Sequence, residues 1–417
     1  MEAAERNSGR GGEVPALPNL ILKPGREERV AAGHPWVYAG EVGKIAGAPR
    51  DGDPVVVRDA KRRFLGVGFY NSRSRIRVRI LARERVLFDK AFFRRRIEAA
   101  WALRRRRLPR AECARAVNSE GDFLSGLVAD KYGEALVIQT LSLGMDRRKK
   151  MLVEVLRELF SPRVVVERND AAAREFEGLE RRKGVLEGET PGKVWVRMGD
   201  LEFAADLLEG HKTGLYLDQQ VNYQLAAELI AERPGAIVLD AFCFTGGFGL
   251  HAAKAGAAKV HFVDQSEEAI RQARAHAERN GLIDRCSFEA ANVFDWLRAR
   301  SARKGAGERS QPLFDVVILD PPSFTRSREA IPEALRGYKE IHIRALKLLR
   351  PGGLLLTFCC SHHVDALTFR DAVAAAAADT RACLRHVASF TQAPDHPFLL
   401  AVPETEYLKG YAFELAA

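Results

Sequence analysis

The sequence predicts an α/β protein: a C-terminal doubly wound sheet preceded by a small β-barrel and a central α+β unit. Three observations predict it. Residues 237–358 alternate apolar strand-like runs with helical runs. Residues 19–86 hold short strand-like runs separated by turn signals. Between them lie a strongly basic helical stretch and a second mixed segment. A chain of 417 residues is also longer than one ordinary core and fits two to three domains.

The barrel comes first. Asn19 to Leu22 is a strand followed by the turn Pro24-Gly25. Asp51-Gly52-Asp53-Pro54 is a second turn, leading into the strand Val55-Val56-Val57. Phe64 to Tyr70 is a third strand, interrupted by Gly66 and Gly68. Arg73, Arg75, Arg77 and Arg79 alternate with Ser74, Ile76, Val78 and Ile80. Period two puts four guanidiniums on one strand face, where they can track a phosphate backbone. The plainer reading is an exposed strand kept soluble by arginine. Phe88 to Arg107 turns helical, with Arg94-Arg95-Arg96 and Arg104 to Arg107, and Pro109 ends it. It is either a second phosphate-contacting surface or a solvated helix face.

The central unit covers residues 115–200. Phe123 to Val128, Glu134 to Gln139 and Val164 to Glu167 read as strands, and Met151 to Leu159 as a helix stopped by Ser161-Pro162. Glu177 to Gly192 reads as a loop. In the C-terminal unit, strands are expected at Ile237–Asp240, Lys259–Asp264, Cys286–Ala290, Asp315–Leu319 and Leu354–Phe358. Helices are expected at Leu250–Ala255, Ser266–Asn280 and Ile331–Leu349. The division is then a disordered leader at 1–17, the barrel at 18–87, the basic helix and α+β unit at 88–200, and the sheet domain at 201–417.

Composition narrows the function. Hydrophobic residues make up 47% and charged residues 29%, which is globular. No run reaches the ~18 apolar residues of a membrane span, and the first residues lack a signal-peptide core. No membrane association is therefore expected. Six cysteines without a CxxC indicate neither a disulfide framework nor a zinc site, and a reducing cytoplasm is expected. Residues 1–110 carry 26 Lys and Arg against 12 Asp and Glu, whereas the whole chain is only +10. A basic front on a mildly acidic body suggests a polyanion such as RNA or DNA.

The distinctive residues fall at strand ends, where doubly wound sheets bind ligands. The first strand ends at Asp240 and runs into Ala-Phe242-Cys-Phe244-Thr245-Gly246-Gly247-Phe-Gly249. Phenylalanines stand where a dinucleotide loop needs glycines, which argues for a ligand without a pyrophosphate. Asp264 ends the second strand and suits a ribose; Asn292 follows the third and can pair with an adenine edge. Asp320-Pro321-Pro322-Ser323-Phe324 follows the fourth.

This half resembles a class I S-adenosylmethionine-dependent methyltransferase of Rossmann-like fold. The whole chain is similar to the bacterial 23S rRNA methyltransferase family that makes 5-methylcytosine, typified by large-subunit methyltransferase I. The segments that carry the resemblance include Gly33-His34-Pro35-Trp36-Val37-Tyr38, Gly210 to Gln219 and Phe244 to Phe248. Others are Asp320 to Phe324, Thr357-Phe358-Cys359-Cys360-Ser361, Ala393 to Pro397 and Tyr407-Leu408-Lys409-Gly410. The resemblance implies a PUA RNA-binding domain for the barrel and a small central α+β domain. It also implies S-adenosylmethionine as cofactor, 23S rRNA or a large-subunit precursor as partner, and a homodimer. Lys212, Asp218 and Gln219 are expected at the methionine end of the donor, or else as a hairpin bracing the sheet. Asp240, Phe242, Phe244, Thr245, Gly246, Asp264, Asn292, Asp320 and Pro321 complete the expected cofactor site, and Pro322, Ser323 and Phe324 face the substrate base.

Cytosine C5 attacks a methylsulfonium only after a thiolate adds to C6, so the chemistry needs a cysteine nucleophile. Cys360 is the expected nucleophile. Its neighbour Cys359 should point the other way, into the core. Asp320 is expected at the N3/N4 side of the base. The group that removes the C5 proton is open among Lys212, Asp320 and water. His362 and His363 either lower the thiol pKa as cations or are plain loop residues. Two other functions fit the chain. One is methylation of a ring or exocyclic nitrogen, as on guanine, without a cysteine. The other is a non-catalytic RNA-binding assembly factor.

Overall fold

The computed structural model describes residues 17–189, 192–302, 313–325 and 327–416. The expected leader, apart from Leu17, lies outside the described residues. The N-terminal unit holds β1 (Asn19–Leu22), α1 (Glu28–Ala31), β2 (Trp36–Tyr38), β3 (Val42–Ala46), β4 (Pro54–Arg58), β5 (Phe64–Tyr70) and β6 (Ile76–Ala82). They form one six-stranded sheet in the order β2-β6-β5-β4-β1-β3 around Leu20, Leu22, Val37, Val55, Val57, Val78 and Ile80. The glycines do not interrupt β5. A Cβ on Gly68 would lie 2.1 Å from the Arg79 carbonyl oxygen, so a side chain there would prevent β5 and β6 from meeting.

The arginine ladder needs correcting. β6 begins at Ile76, so Arg73 and Arg75 stand exposed on the loop before it. Arg79 does not face solvent: it pairs with Glu120 at 3.2 Å and Glu177 at 3.0 Å across the junction with the central unit. Arg77 donates to the Asn71 carbonyl.

α2 (Lys90–Arg107) starts where Asp89 accepts from the Phe92 amide, a side-chain N-cap. Its apolar face of Phe92, Phe93 and Ile97 packs on the central sheet. That sheet holds β7 (Cys113–Asn118), β8 (Leu127–Tyr132), β9 (Ala135–Thr140), β10 (Val164–Asn169) and β11 (Arg182–Glu187), in the order β11-β10-β9-β8-β7. α3 (Leu143–Asp146) and α4 (Lys149–Phe160) follow β9. Three expectations shift here. The strand expected at Phe123 lies at Leu127, the expected loop contains β11, and Arg104 is buried rather than surface-exposed. Arg104 makes two hydrogen bonds to Asp122, at 2.6 and 2.7 Å, and one to the Asp395 carbonyl.

β12 (Lys193–Met198) and β13 (Leu201–Asp206) form a separate hairpin. A boundary at residue 200 would cut its turn. The hairpin packs on the C-terminal unit, where the Ala204 amide donates to His276.

The C-terminal unit contains α5 (Gln220–Ala231), β14 (Ile237–Ala241), α6 (Gly247–Lys254), β15 (Lys259–Asp264), α7 (Glu267–Arg279), β16 (Cys286–Ala290) and α8 (Val293–Ser301). It continues with β17 (Phe314–Leu319), α9 (Ile331–Leu348), β18 (Leu349–Cys359), α10 (Ala366–Thr380), β19 (Leu384–Thr391) and β20 (Lys409–Leu415). The sheet runs β16-β15-β14-β17-β18-β20-β19, with β20 antiparallel to both neighbours. Helices cover both faces, which explains the unbroken apolar runs of β14, β17 and β18. The chain leaves β14 towards β15 and β16, then returns to β17. This reversal opens a crevice at the carboxyl ends of β14 and β17. Among the described residues, no helix is long and apolar enough to cross a membrane.

Candidate active site

The crevice is a cavity of about 540 Å³. It brings together Lys212, Asp218, Gln219, Phe242, Phe244, Thr245, Asp264, Asn292, Asp320, Pro321, Pro322, Ser323, Phe324 and Cys360. Two expected residues are not on its wall. Asp240 is buried behind it, and Gly246 gives way to Gly247.

The strand pleat separates the two cysteines. Cys359 ends β18 fully buried, and Cys360 turns its thiol to the cavity, 3.9 Å from the Pro321 carbonyl oxygen. Burial pushes the Cys360 thiol up to about 12, with the Asp320 carboxylate adding to the rise. His362 also lines the cavity, but burial and then Lys409 push its imidazole down, so it offers the thiol no cation at neutral pH. Lys409 donates to the Ser361 carbonyl and holds the loop after Cys360.

Asp320 follows β17. Gln219 donates to its Oδ2 at 3.1 Å, and Asn222 donates in turn to the Gln219 oxygen at 2.6 Å. Burial, with the Asp218 charge, raises the Asp320 carboxyl to about 7. It is thus poised to hold or release a proton near neutral pH.

Lys212 sits in the left-handed region with φ 53°, in the loop between Gly210 and Gly214. Thr213 ties that loop to Asp130 and Tyr132 of the central sheet. The Lys212 ammonium meets Asp218 at 2.7 Å and lies 4.2 Å from the Tyr216 ring centroid. The Tyr407 hydroxyl donates to the same Asp218 oxygen at 2.7 Å. Burial alone would raise Asp218. Lys212, His396 and the hydrogen bonds outweigh it and hold the carboxyl well below the usual range.

At the other end, Asp264 accepts from the Phe244 and Ser266 amides, each at 2.9 Å. Asn292 caps α8 through its side-chain oxygen. Phe242 and Phe244 both have positive φ, 64° and 47°, so the turn holds its glycine-like shape with phenyl side chains. Asp240 accepts from the Gly249 amide at 2.8 Å, and burial raises it to about 8.

The donor set fits S-adenosylmethionine. Lys212 and Asp218 put opposite charges on the cavity wall, which suits an amino-acid zwitterion. Asp264 and Asn292 suit a ribose and an adenine. Among the described residues one Asp218 oxygen, on the cavity wall, is buried with no hydrogen-bond partner, as expected of an acceptor that meets a ligand. His211, stacked 4.9 Å from Phe244, also lines the cavity, as do Tyr216 and Tyr407. The sequence places the Gly210–Gln219 segment at the donor without singling out His211 or Tyr216, and gives Tyr407 no role.

Comparison with known proteins agrees. Residues 20–83 match the PUA-like domain family and residues 183–404 the S-adenosylmethionine-dependent methyltransferase family. The chain is 41% identical over 405 residues to ribosomal RNA large subunit methyltransferase I of Photobacterium profundum, covering 94% of this chain and 98% of that protein. The same-named protein of Vibrio cholerae is 39% identical over 401 residues, covering 95% and 98%. A solved structure from Streptococcus mutans, assigned as a candidate SAM-dependent methyltransferase, aligns with TM-score 0.79 at 18% identity, covering 95% of this chain and 100% of that one. A further candidate methyltransferase, solved in complex with SAH, aligns with TM-score 0.79 at 19% identity over the same shares. At these identities the two structures bear on the fold alone.

Proposed function

Since this chain belongs to the S-adenosylmethionine-dependent methyltransferase family of ribosomal RNA large subunit methyltransferase I, we propose that it methylates C5 of a cytosine in large-subunit ribosomal RNA. The observation that carries this reading is that Cys360, after the end of β18, lines the same cavity as Asp320, a carboxyl raised to about 7. S-adenosylmethionine, when bound, supplies an electrophilic methyl group. The target base must leave its stack to reach the cavity.

In this reading Pro321, Pro322 and Phe324 wall the base, and Asp320 faces its N3/N4 edge. Asp320 gives its proton to N3 as the Cys360 thiolate, the thiol proton already lost to water, bonds to C6, so the ring electrons move towards C5. The methyl joins C5. The Asp320 carboxylate then takes the C5 proton. The electrons of that C–H bond reform the C5–C6 double bond as the sulfur leaves as thiolate, and the N3 proton, the one released per turnover, passes to water because Asp320 is again protonated. Lys212 is a poor candidate for this base, because its ammonium already donates to Asp218 and has no lone pair. Asn292 oxygen keeps a second lone pair for an adenine amine. Arg73 and Arg75, exposed before β6, are the proposed phosphate contacts of the barrel.

The test is methyl transfer from labelled S-adenosylmethionine to unmodified large-subunit rRNA, followed by nucleoside mass spectrometry. The reading expects 5-methylcytidine from wild type and none from Cys360→Ala. Another methylated nucleoside, formed equally by Cys360→Ala, overturns the mechanism.

A further inference from the structure

A second cleft, of about 400 Å³, opens where three parts of the chain meet. The barrel contributes Gly33, Pro35 and the end of β6. The central unit contributes Phe123 and Ser125 beside Arg96 of α2. The strap between β19 and β20 contributes Leu399. Phe123 is 52% exposed and held at φ 59°, an unusual cost for an aromatic residue left in solvent. Two further apolar side chains, Phe398 and Leu400, stand exposed on either side of Leu399.

Two arginines, Arg83 and Arg96, and two glutamates, Glu84 and Glu120, also line the cleft. The Arg96 guanidinium lies 5.5 Å from the Phe123 ring centroid and donates to the Leu81 carbonyl. Arg83 donates to the carbonyls of Leu65 and His34. A guanidinium has five N–H groups, so both arginines retain donors. Of the two acids at the cleft, Glu120 is engaged by Trp36, Arg79 and Ser125, which leaves Glu84. An exposed ring beside a guanidinium, here Phe123 beside Arg96, is a way single-stranded nucleic acid is held. The strap borders both cavities, through Leu399 here and through Tyr407 and Leu408 at the active site. Glu404 of the same strap pairs with His34 of the barrel at 3.2 Å.

We propose that this cleft takes an unpaired nucleotide flanking the target, its base stacked on Phe123 and its phosphates held by Arg83 and Arg96. The inference rests on the RNA-methyltransferase reading above. It adds a contact that neither the barrel nor the sheet domain makes alone.

The experiment measures fluorescence anisotropy of a labelled, mixed-sequence single-stranded RNA with the full chain over a range of salt concentrations. Phe123→Ala is expected to weaken binding about 5- to 150-fold. Phe123→Tyr should restore it, with thermal unfolding unchanged in both. Arg83→Gln should reduce the salt slope by about 0.7. Equal affinity for wild type and Phe123→Ala overturns the proposal, as does failure of Phe123→Tyr to restore binding. Methyl transfer to rRNA, run alongside, separates the two readings. If wild type methylates and Phe123→Ala binds RNA normally, the cleft alone is refuted. If wild type neither binds nor methylates RNA, the functional reading falls with it.

Discussion

Gln219 donates to Oδ2 of Asp320 at 3.1 Å, and Asn222 fixes the orientation of the Gln219 amide by donating to its oxygen. The hydrogen bond draws the Asp320 carboxyl down, while burial and Asp218 push it up, and the balance is about 7. One residue thereby links the segment carrying Lys212 and Asp218 to the loop facing Cys360.

The pH dependence of methyl transfer follows from this pair. In the proposed mechanism the active form has Asp320 protonated and Cys360 ionised, although the thiol lies near 12 and the carboxyl near 7. Below about 7 the singly deprotonated pair grows tenfold per pH unit. Above it, loss of the Asp320 proton cancels the gain in thiolate. kcat/KM should therefore rise to about pH 7 and then level. Asp320→Asn should be slower by about 10²-fold or more at pH 7. Its rate should keep rising above pH 7, because only the thiol then titrates. A plateau in the variant at the wild-type position would contradict this.

Asp240 should destabilise the ligand-free protein as pH rises. Its folded carboxyl is raised to about 8, against about 3.9 in an unfolded chain. Between these values the unfolded state releases a proton that the folded state keeps, so stability falls with rising pH. Asp240→Asn removes that loss. Its melting temperature should exceed wild type at pH 8 by more than at pH 5, as differential scanning calorimetry can measure.

Tyr407→Phe removes one donor to the ionised Asp218 and leaves Lys212 in place. A hydrogen bond to a charged group contributes about 1.5–3 kcal/mol. Affinity for S-adenosylmethionine, measured by titration calorimetry, should fall about 10- to 100-fold, with folding intact. Unchanged affinity would remove Asp218 from the donor site.

Arg104→Met should cost about 3–5 kcal/mol of stability, because it leaves Asp122 buried without its cation. Adding Asp122→Leu should recover much of that loss. Urea unfolding of both variants checks this, and a double variant no more stable than the single one would refute it.

The parallel sheet was legible because its central strands are buried on both faces and read as unbroken apolar runs, such as Val316 to Leu319. The cavity was legible because such sheets bind at strand ends, and fourteen of the expected side chains line it. Edge and hairpin strands were not legible. β11 carries Arg182, Lys183 and Glu187 on an exposed edge, and charge there resembles loop composition. Charge counts also could not distinguish surface arginines from Arg79 and Arg104, which are buried or half-buried only because Glu120, Glu177 and Asp122 come from distant segments. Asp240 had the right strand and the wrong depth, since α6 places the Gly249 amide over it.

The central claim is a covalent bond between Cys360 and cytosine C6. Large-subunit rRNA transcribed with 5-fluorocytidine has no C5 proton to lose, so the adduct cannot resolve after methylation. Incubated with wild type and S-adenosylmethionine, it should yield a protein–RNA species stable to denaturant, and nuclease digestion followed by peptide mass spectrometry should place the modified nucleotide on Cys360. Cys360→Ala should yield none. Methylation of ordinary rRNA by wild type with no trapped species, or trapping unaffected by Cys360→Ala, would contradict the account.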